Sequence, residues 1–159
     1  MLLFLDKNDK LDNPEKVDEI ISAEIPNKDK YPKLYNLVKQ FMIHGPCGSQ
    51  NLNSPCMDKN TNICTKNFPK PYNANTTFKS NGYPQYIRSN DGVKITFDSK
   101  FSTKTADNRF VVPYNPYLLL KLNAHINVEV CSTVQCIKYL FKYCYKGYDC
   151  AYIEIKDIK

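Results

Sequence analysis

The spacing of apolar residues along the chain predicts four helices joined by polar connections. In the second of them, Leu34, Leu37 and Val38 recur at helical spacing and would form one buried stripe. Asn13 before Pro14 is typical of a helix start, because the side chain caps the first turn and proline has no amide proton to leave unpaired. The predicted helices span residues 14–21, 31–43, 116–122 and a segment within 129–149.

Alternating and short apolar runs predict strands. Residues 86–88 and 93–97 flank Asn90-Asp91-Gly92, a turn sequence that favours a hairpin between them. Residues 125–130 alternate polar and apolar side chains, as a half-buried strand does. The expected fold class is α+β, with a central, mainly antiparallel sheet, packed helices and an irregular Cys/His-rich insertion. That sheet would carry strands at Met1–Leu5, at 110–112 and at 125–130, and a last strand is expected at 152–158.

The segment from His44 to Cys64 is poor in apolar residues and rich in Gly, Pro, Asn and Ser, so it needs an organiser other than a hydrophobic core. His44, Cys47, Cys56 and Cys64 follow the spacing His-x2-Cys-x8-Cys-x7-Cys, and they have the number and softness for tetrahedral zinc. We expect a zinc-binding insertion at 44–70 within one domain of 1–159. The alternative is a surface loop with unliganded cysteines.

Composition and charge narrow the choice of compartment and partner. The chain has 159 residues and a formal net charge of +6, which suits a polyanionic partner. Seven cysteines, an odd number, without a secretory signal indicate a reducing, intracellular compartment rather than a disulfide framework. No stretch approaches the length of a membrane span, so no membrane partner is expected.

The predicted last helix carries a pair of tyrosines that could do chemistry. Tyr139 and Tyr143 are one turn apart, with Lys142 and Lys146 beside them. A tyrosine oxygen can attack a phosphodiester, and the lysines could stabilise the charge that develops on the phosphate. The alternative is packing, since the chain has 12 tyrosines.

Two further surfaces could contact metal or DNA. His125 and Glu129 would lie on one face of the strand before the tyrosine helix, as a metal or phosphate platform or as a solvated strand face. Tyr83, Tyr86 and Arg88 interleave aromatic and basic side chains that could stack bases of single-stranded DNA, or form an ordinary solvated hairpin.

Several long motifs, in order along the chain, resemble the replication-initiator (Rep) endonuclease region of Helitron rolling-circle transposases. The resemblance covers nearly the whole chain. It is carried by EIISAEIP at 19–26, FMIHGPCG at 41–48, SPCM at 54–57, NFPKPY at 67–72, NRFVVPYNPYLLLKLNAHINVEVC from Asn108 and IKYLFKYCYKGYD from Ile137.

The resemblance implies a parent domain that nicks and joins single-stranded DNA, with Tyr139 and Tyr143 as the nucleophile pair. A divalent ion, Mg²⁺ or Mn²⁺, would polarise the phosphate, held in the family mainly by a His-hydrophobic-His motif. The family also has a downstream helicase domain and would act in the nucleus. Because the chain starts at Met1, where that motif would end, we expect a fragment that does not cleave DNA alone.

Two non-catalytic functions remain as alternatives. One is a zinc-organised module that holds single-stranded DNA without cutting it, with an affinity that falls with salt. The other is a transposon remnant without a present role.

Overall fold

The computed structural model describes residues 3, 5–80, 82–98 and 103–131 of the chain. These residues form a small α+β structure with two short 3-10 turns, Lys7–Asp9 and Asn108–Phe110. The helices are α1 (Pro14–Ile20), α2 (Pro32–Phe41) and α3 (Pro116–Leu122). The strands are β1 (Thr77–Phe78), β2 (Pro84–Gln85), β3 (Ile95–Asp98) and β4 (Thr103–Ala106).

The starts of α1 and α3 are capped as the sequence predicts. The Asn13 side chain accepts a hydrogen bond from the Lys16 amide at 2.8 Å, and Pro14 occupies the first helical position. Asn115 caps α3 in the same way, through the Leu118 amide at 2.8 Å. Each cap satisfies an amide that the helix itself leaves without a partner, so the two helix starts are fixed locally.

The main core lies beneath α2, which is slightly shorter than the predicted 31–43. Leu37 and Val38 are buried on its inner face. They pack with side chains from distant parts of the chain, so this core closes the fold over long range. Its other buried members are Ile25, Met42, Ile95, Val111, Tyr114 and Leu119.

Both sheets are antiparallel and two-stranded. Thr77 pairs with Gln85 in the first, and Ile95 pairs with Ala106 in the second. The predicted hairpin between 86–88 and 93–97 is therefore wrong. Residues 95–98 pair with β4, which follows them in the sequence, and Arg88 forms an isolated bridge with Asn73.

A central sheet through 1–5, 110–112 and 125–130 is absent from the described residues. Leu3 and Leu5 are 63% and 47% exposed, and Val111 makes only an isolated bridge to Ile43. Residues 125–130 do alternate between exposed and partly buried side chains, as predicted, but they form no strand ladder. The alternation reflects packing of the apolar side chains on the two core clusters beneath them.

A buried polar group replaces the expected sheet at the centre. Arg88 is 4% exposed and donates to the carbonyl oxygens of Ala23, Asn108 and Val111. The Asn108 side chain accepts from the Ile25 amide at 2.8 Å and donates to the Ser89 carbonyl at 2.9 Å. Burial lowers the pKa of Arg88 to about 10, which still leaves it charged at neutral pH. These hydrogen bonds form a polar hub that joins three separate segments, residues 23–25, 88–89 and 108–111, without a strand ladder.

In the part of the chain that the structure describes, no helix is both long enough and apolar enough to span a bilayer.

Candidate metal centre

Tight turns shape the loop that follows α2. Gly48 has φ of 67°, a left-handed conformation that glycine adopts without steric cost, and it bridges to Asn51. The Asp58 carboxylate accepts from the amides of Asn60 and Thr61 at 2.8 and 2.9 Å, which closes the next turn. These turns fold the loop back on itself twice.

The turns bring four potential ligands together, as the sequence predicts. The ligand atoms of His44, Cys47, Cys56 and Cys64, here called the His44 cluster, all lie within 4.8 Å of one another. His44 Nε2 is 3.5 Å from Cys64 Sγ. In tetrahedral zinc thiolates, sulfur atoms lie about 3.8 Å apart, as follows from a Zn–S bond of about 2.3 Å. The cluster therefore needs little contraction to hold a metal ion.

The surroundings of the His44 cluster favour ligand-competent protonation states at two positions. Burial lowers the pKa of His44, and the nearby charges of Lys70 and Lys66 lower it further. Burial alone would raise the pKa of Cys64, but hydrogen bonds from the backbone amides of Phe68 and Lys66 outweigh it and lower the pKa. Metal binding requires neutral imidazole and thiolate, so both shifts assist it.

Cys47 behaves in the opposite way when no metal is bound. Burial, followed by hydrogen bonds with Cys56 and Cys64, raises the pKa of the Cys47 thiol to about 12. A first thiolate at Cys64 disfavours a second charge beside it. A divalent cation would reverse this effect, because it compensates the thiolate charges directly.

The His44 cluster is joined to the rest of the fold by packing and hydrogen bonds. Cys47 and Cys64 are buried against Ala106 and Phe110. The His44 amide donates to the Phe110 carbonyl at 2.8 Å. A metal ion here would tie the loop to β4 and to the 3-10 turn before α3.

The segment 66–72, most of which lies in the predicted insertion at 44–70, packs against the His44 cluster, and its contact with the His44 ring was not predicted. The Phe68 ring stacks on the His44 ring, with centroids 4.2 Å apart and planes 10° from parallel. The Lys70 amide donates to the Arg109 carbonyl at 3.0 Å. The alternation of Lys66, Phe68 and Lys70 before an aromatic residue was the signal that could have indicated this segment.

His125 and Glu129 are exposed, and neither belongs to the His44 cluster. His125 Nδ1 donates to the Phe41 carbonyl at 2.7 Å. Glu129 accepts from the hydroxyl of Tyr83 at 2.7 Å and from the Asn127 side chain at 3.0 Å. Among the described residues, the His44 cluster is the only group of three or more potential ligands.

The remaining predicted site residues lie outside the described residues. These are Tyr139, Lys142, Tyr143 and Lys146.

Neither interpretation of Tyr83, Tyr86 and Arg88, a base-stacking patch or an ordinary solvated hairpin, fits the positions of Tyr86 and Arg88. Tyr86 and Arg88 are each 4% exposed, because one packs on α1 and the other lies in the polar hub. The Tyr86 hydroxyl accepts from the Val130 amide at 3.2 Å. Neither ring face nor guanidinium is available to a nucleotide.

No family model matches the sequence, and no curated protein is significantly similar to it.

Proposed function

We propose that this chain is a single-stranded-DNA-binding module of the Helitron Rep type, with its 44–70 loop folded by a structural zinc ion. The observation that carries the proposal is the closed set of one imidazole and three thiols in the His44 cluster. Four protein ligands leave no open coordination position, so the ion would stabilise the loop and take no part in catalysis.

Zinc fits this donor set better than other common ions do. Thiolate and imidazole are soft or borderline ligands, whereas Mg²⁺ and Ca²⁺ require oxygen. Hydrogen bonds from backbone amides help to lower the pKa of Cys64, which favours its thiolate as a metal ligand. Iron would also accept a tetrahedral sulfur-rich site, so the identity of the metal has to be measured.

The first experiment measures metal content and stability together. Protein purified without added chelator should contain one zinc ion per chain, and Cys56→Ser should lose it. Cys131→Ser is the matched control, because Cys131 is exposed and lies outside the His44 cluster. Equal metal content in both variants would contradict the structural-zinc proposal.

The DNA part of the proposal is supported by charge close to the metal centre. Lys66 and Lys70 both act electrostatically on His44, and the chain carries a net charge of +6. A labelled oligothymidylate should bind at low salt, and its affinity should fall as salt rises, because phosphate contacts release counterions. Undetectable binding at low salt would refute this part.

The parent domain's nicking reaction is a second proposal, and one observation favours it. With Nδ1 donating to Phe41, the His125 ring keeps Nε2 available as a metal ligand, which is how second-shell carbonyls orient such histidines. In this proposal Tyr139 or Tyr143 attacks the phosphate, a 3′ hydroxyl leaves, and the 5′ end stays on the tyrosine. Lys142, Lys146 and Glu129 would assist.

Incubation with a single-stranded oligonucleotide and Mn²⁺ tests the nicking reaction. We expect no covalent adduct from these 159 residues, because the resemblance assigns the main metal ligands to a His-hydrophobic-His motif, which their two histidines, His44 and His125, do not form. An adduct that disappears in the Tyr139→Phe/Tyr143→Phe double variant would overturn that expectation and establish a nuclease.

A further inference from the structure

The segment 66–72 carries a lysine, Lys70, that has no carboxylate ion-pair partner among the described residues. Lys70 is partly buried, and its Nζ donates to the Lys66 carbonyl oxygen at 2.9 Å. The ion pairs among the described residues are Lys16–Asp12 and Arg109–Asp107, so no carboxylate lies within ion-pair distance of Lys70 there. An ammonium group offers three donors, which leaves capacity for an anion.

Neighbouring residues of its own segment restrict the conformation of Lys70. Its Nζ lies 4.9 Å from the centroid of the Phe68 ring, and that ring is stacked on His44. Pro69 and Pro71 flank it and restrict the backbone. A lysine held this way loses less side-chain entropy on binding a ligand than a fully mobile one would.

The electrostatic surroundings of Lys70 disfavour its own charge. Burial lowers the pKa of Lys70, and the nearby cation Arg88 lowers it further, whereas Glu129 and Cys64 act in the opposite direction. The Glu129 carboxylate is already engaged by Tyr83 and Asn127. An incoming phosphate would relieve this repulsion between cations.

The backbone of Lys70 bonds to Arg109, whose side chain is a flat cationic group. The Arg109 guanidinium is centred 4.7 Å from the Tyr72 ring centroid and is held by Asp107 through bonds of 2.8 to 3.2 Å. The Tyr72 hydroxyl also donates to Asp107, at 3.0 Å. The Arg109 side chain remains 37% exposed, so part of this ordered plane faces solvent. Guanidinium planes stack on unpaired bases in single-stranded nucleic acids.

We propose that Lys70 and Arg109 form a subsite for one nucleotide of single-stranded DNA. The Lys70 ammonium binds the phosphate, and the Arg109 guanidinium plane stacks on the base. The 3.0 Å hydrogen bond from the Lys70 amide to the Arg109 carbonyl joins the two backbone segments that carry these side chains. This inference rests on the DNA binding proposed above and adds the site at which it occurs.

The subsite is tested by anisotropy titration of the full, metal-loaded chain with labelled oligothymidylate over a range of salt concentrations. Lys70→Gln should weaken binding and reduce the salt-dependence exponent by about 0.7, the value for one phosphate contact on a single strand. Lys121→Gln is the matched control, since Lys121 also lies over an aromatic ring, 5.6 Å from Tyr117, and has the same charge. It should leave the exponent unchanged.

A second experiment tests the proposed stacking of a base on Arg109. Arg109→Lys keeps the charge and removes the plane, so it should weaken oligothymidylate binding about tenfold. It should hardly affect an abasic strand of the same length, which has phosphates but no bases. Lys70→Gln should weaken both strands.

Each outcome separates the subsite from the proposed function. If the unaltered chain binds DNA but Lys70→Gln behaves as Lys121→Gln does, the subsite is wrong and the function stands. If the unaltered chain does not bind, both fail. If Lys70→Gln loses its metal ion or has a lower melting temperature, lysine acetylation of the unaltered protein, with and without DNA, tests the subsite instead. Bound DNA should protect Lys70 but not Lys121 from acetylation. Equal labelling of the two lysines would overturn the subsite.

Discussion

The loop at 44–70 and the core beneath α2 are held together by different means. Val38 and Met42 are fully buried among apolar side chains from five segments of the chain. In the loop, by contrast, Leu52 and Ile63 are 59% and 62% exposed, and the buried side chains are mainly the potential ligands themselves. The core is stabilised by area removed from water, whereas the loop depends on four side chains that meet at one point.

Because of this difference, single substitutions should affect the stability of the two regions differently. A core loses stability in proportion to the volume that is removed, so single truncations are graded. A four-ligand site fails as a unit, because three ligands bind a metal ion far less tightly than four. Four changes, from the largest expected effect to the smallest, would break or sharpen this contrast.

Loss of one ligand should have the largest effect, confined to the loop. In Cys64→Ser the amides of Thr65 and Asn67, which bond to the carbonyls of Cys56 and Cys64, should exchange about a thousandfold faster or more. The amide of Met42, bonded to Val38, should keep its protection. Hydrogen exchange followed by mass spectrometry measures both regions. Uniform loss of protection would show that the loop and core are one cooperative unit.

Removal of the buried guanidinium of Arg88 should lower the free energy of unfolding by about 3 kcal/mol or more. Three buried carbonyl oxygens would each lose a hydrogen bond from this group. Arg88→Met, with a similar volume, isolates this effect from packing. Urea unfolding followed by circular dichroism measures it. Arg109→Met at the partly exposed position is the control, and equal losses in the two variants would argue against a special role for the hub.

Truncation in the core should cost about 2 kcal/mol. Val38→Ala removes two methyl groups from a fully buried position and leaves a cavity. Val93→Ala makes the same change at a position that is 40% exposed and should cost under about 0.5 kcal/mol. Both are measured by urea unfolding. Metal content should stay unchanged in both variants, and loss of metal from Val38→Ala would mean that the loop depends on the core.

Protonation of Asp107 at acid pH should have the smallest effect on the stability of the fold. Burial alone would raise the pKa of Asp107, but hydrogen bonds from Arg109 and Tyr72 outweigh it and lower the pKa. The folded state therefore prefers the ionised form, so this contribution is present at neutral pH and is lost as pH falls below about 4.

The measurement is the melting temperature between neutral pH and pH 3. Asp107→Asn should flatten the acid limb of that curve, whereas the exposed Asp29→Asn should leave it unchanged. An acid limb that is identical in Asp107→Asn and the unaltered chain would rule out this source of pH dependence.

The features that sequence predicts correctly here are local or chemically distinctive. Asn13-Pro14 and Asn115-Pro116 fix helix starts through contacts within four residues. The ligand set of the His44 cluster was predictable because imidazole and thiols in a polar loop have few other uses. Strand pairing was not predictable, since β3 could pair with residues on either side of it in the sequence. Arg88, which looks like a surface residue in the sequence, is buried instead of forming the expected hairpin. Its burial becomes visible only when the three carbonyls that surround it are known.

One contact of the 44–70 loop covers part of the edge of strand β4. The Gln50 side chain donates to the Thr105 carbonyl and accepts from the Thr105 amide, both at 3.1 Å. A single carboxamide thus takes the place of a neighbouring peptide on the outer side of β4. An uncovered strand edge is a template on which a second chain can add. Gln50 closes that edge with one side chain, so release of the loop would also expose a point for intermolecular sheet growth.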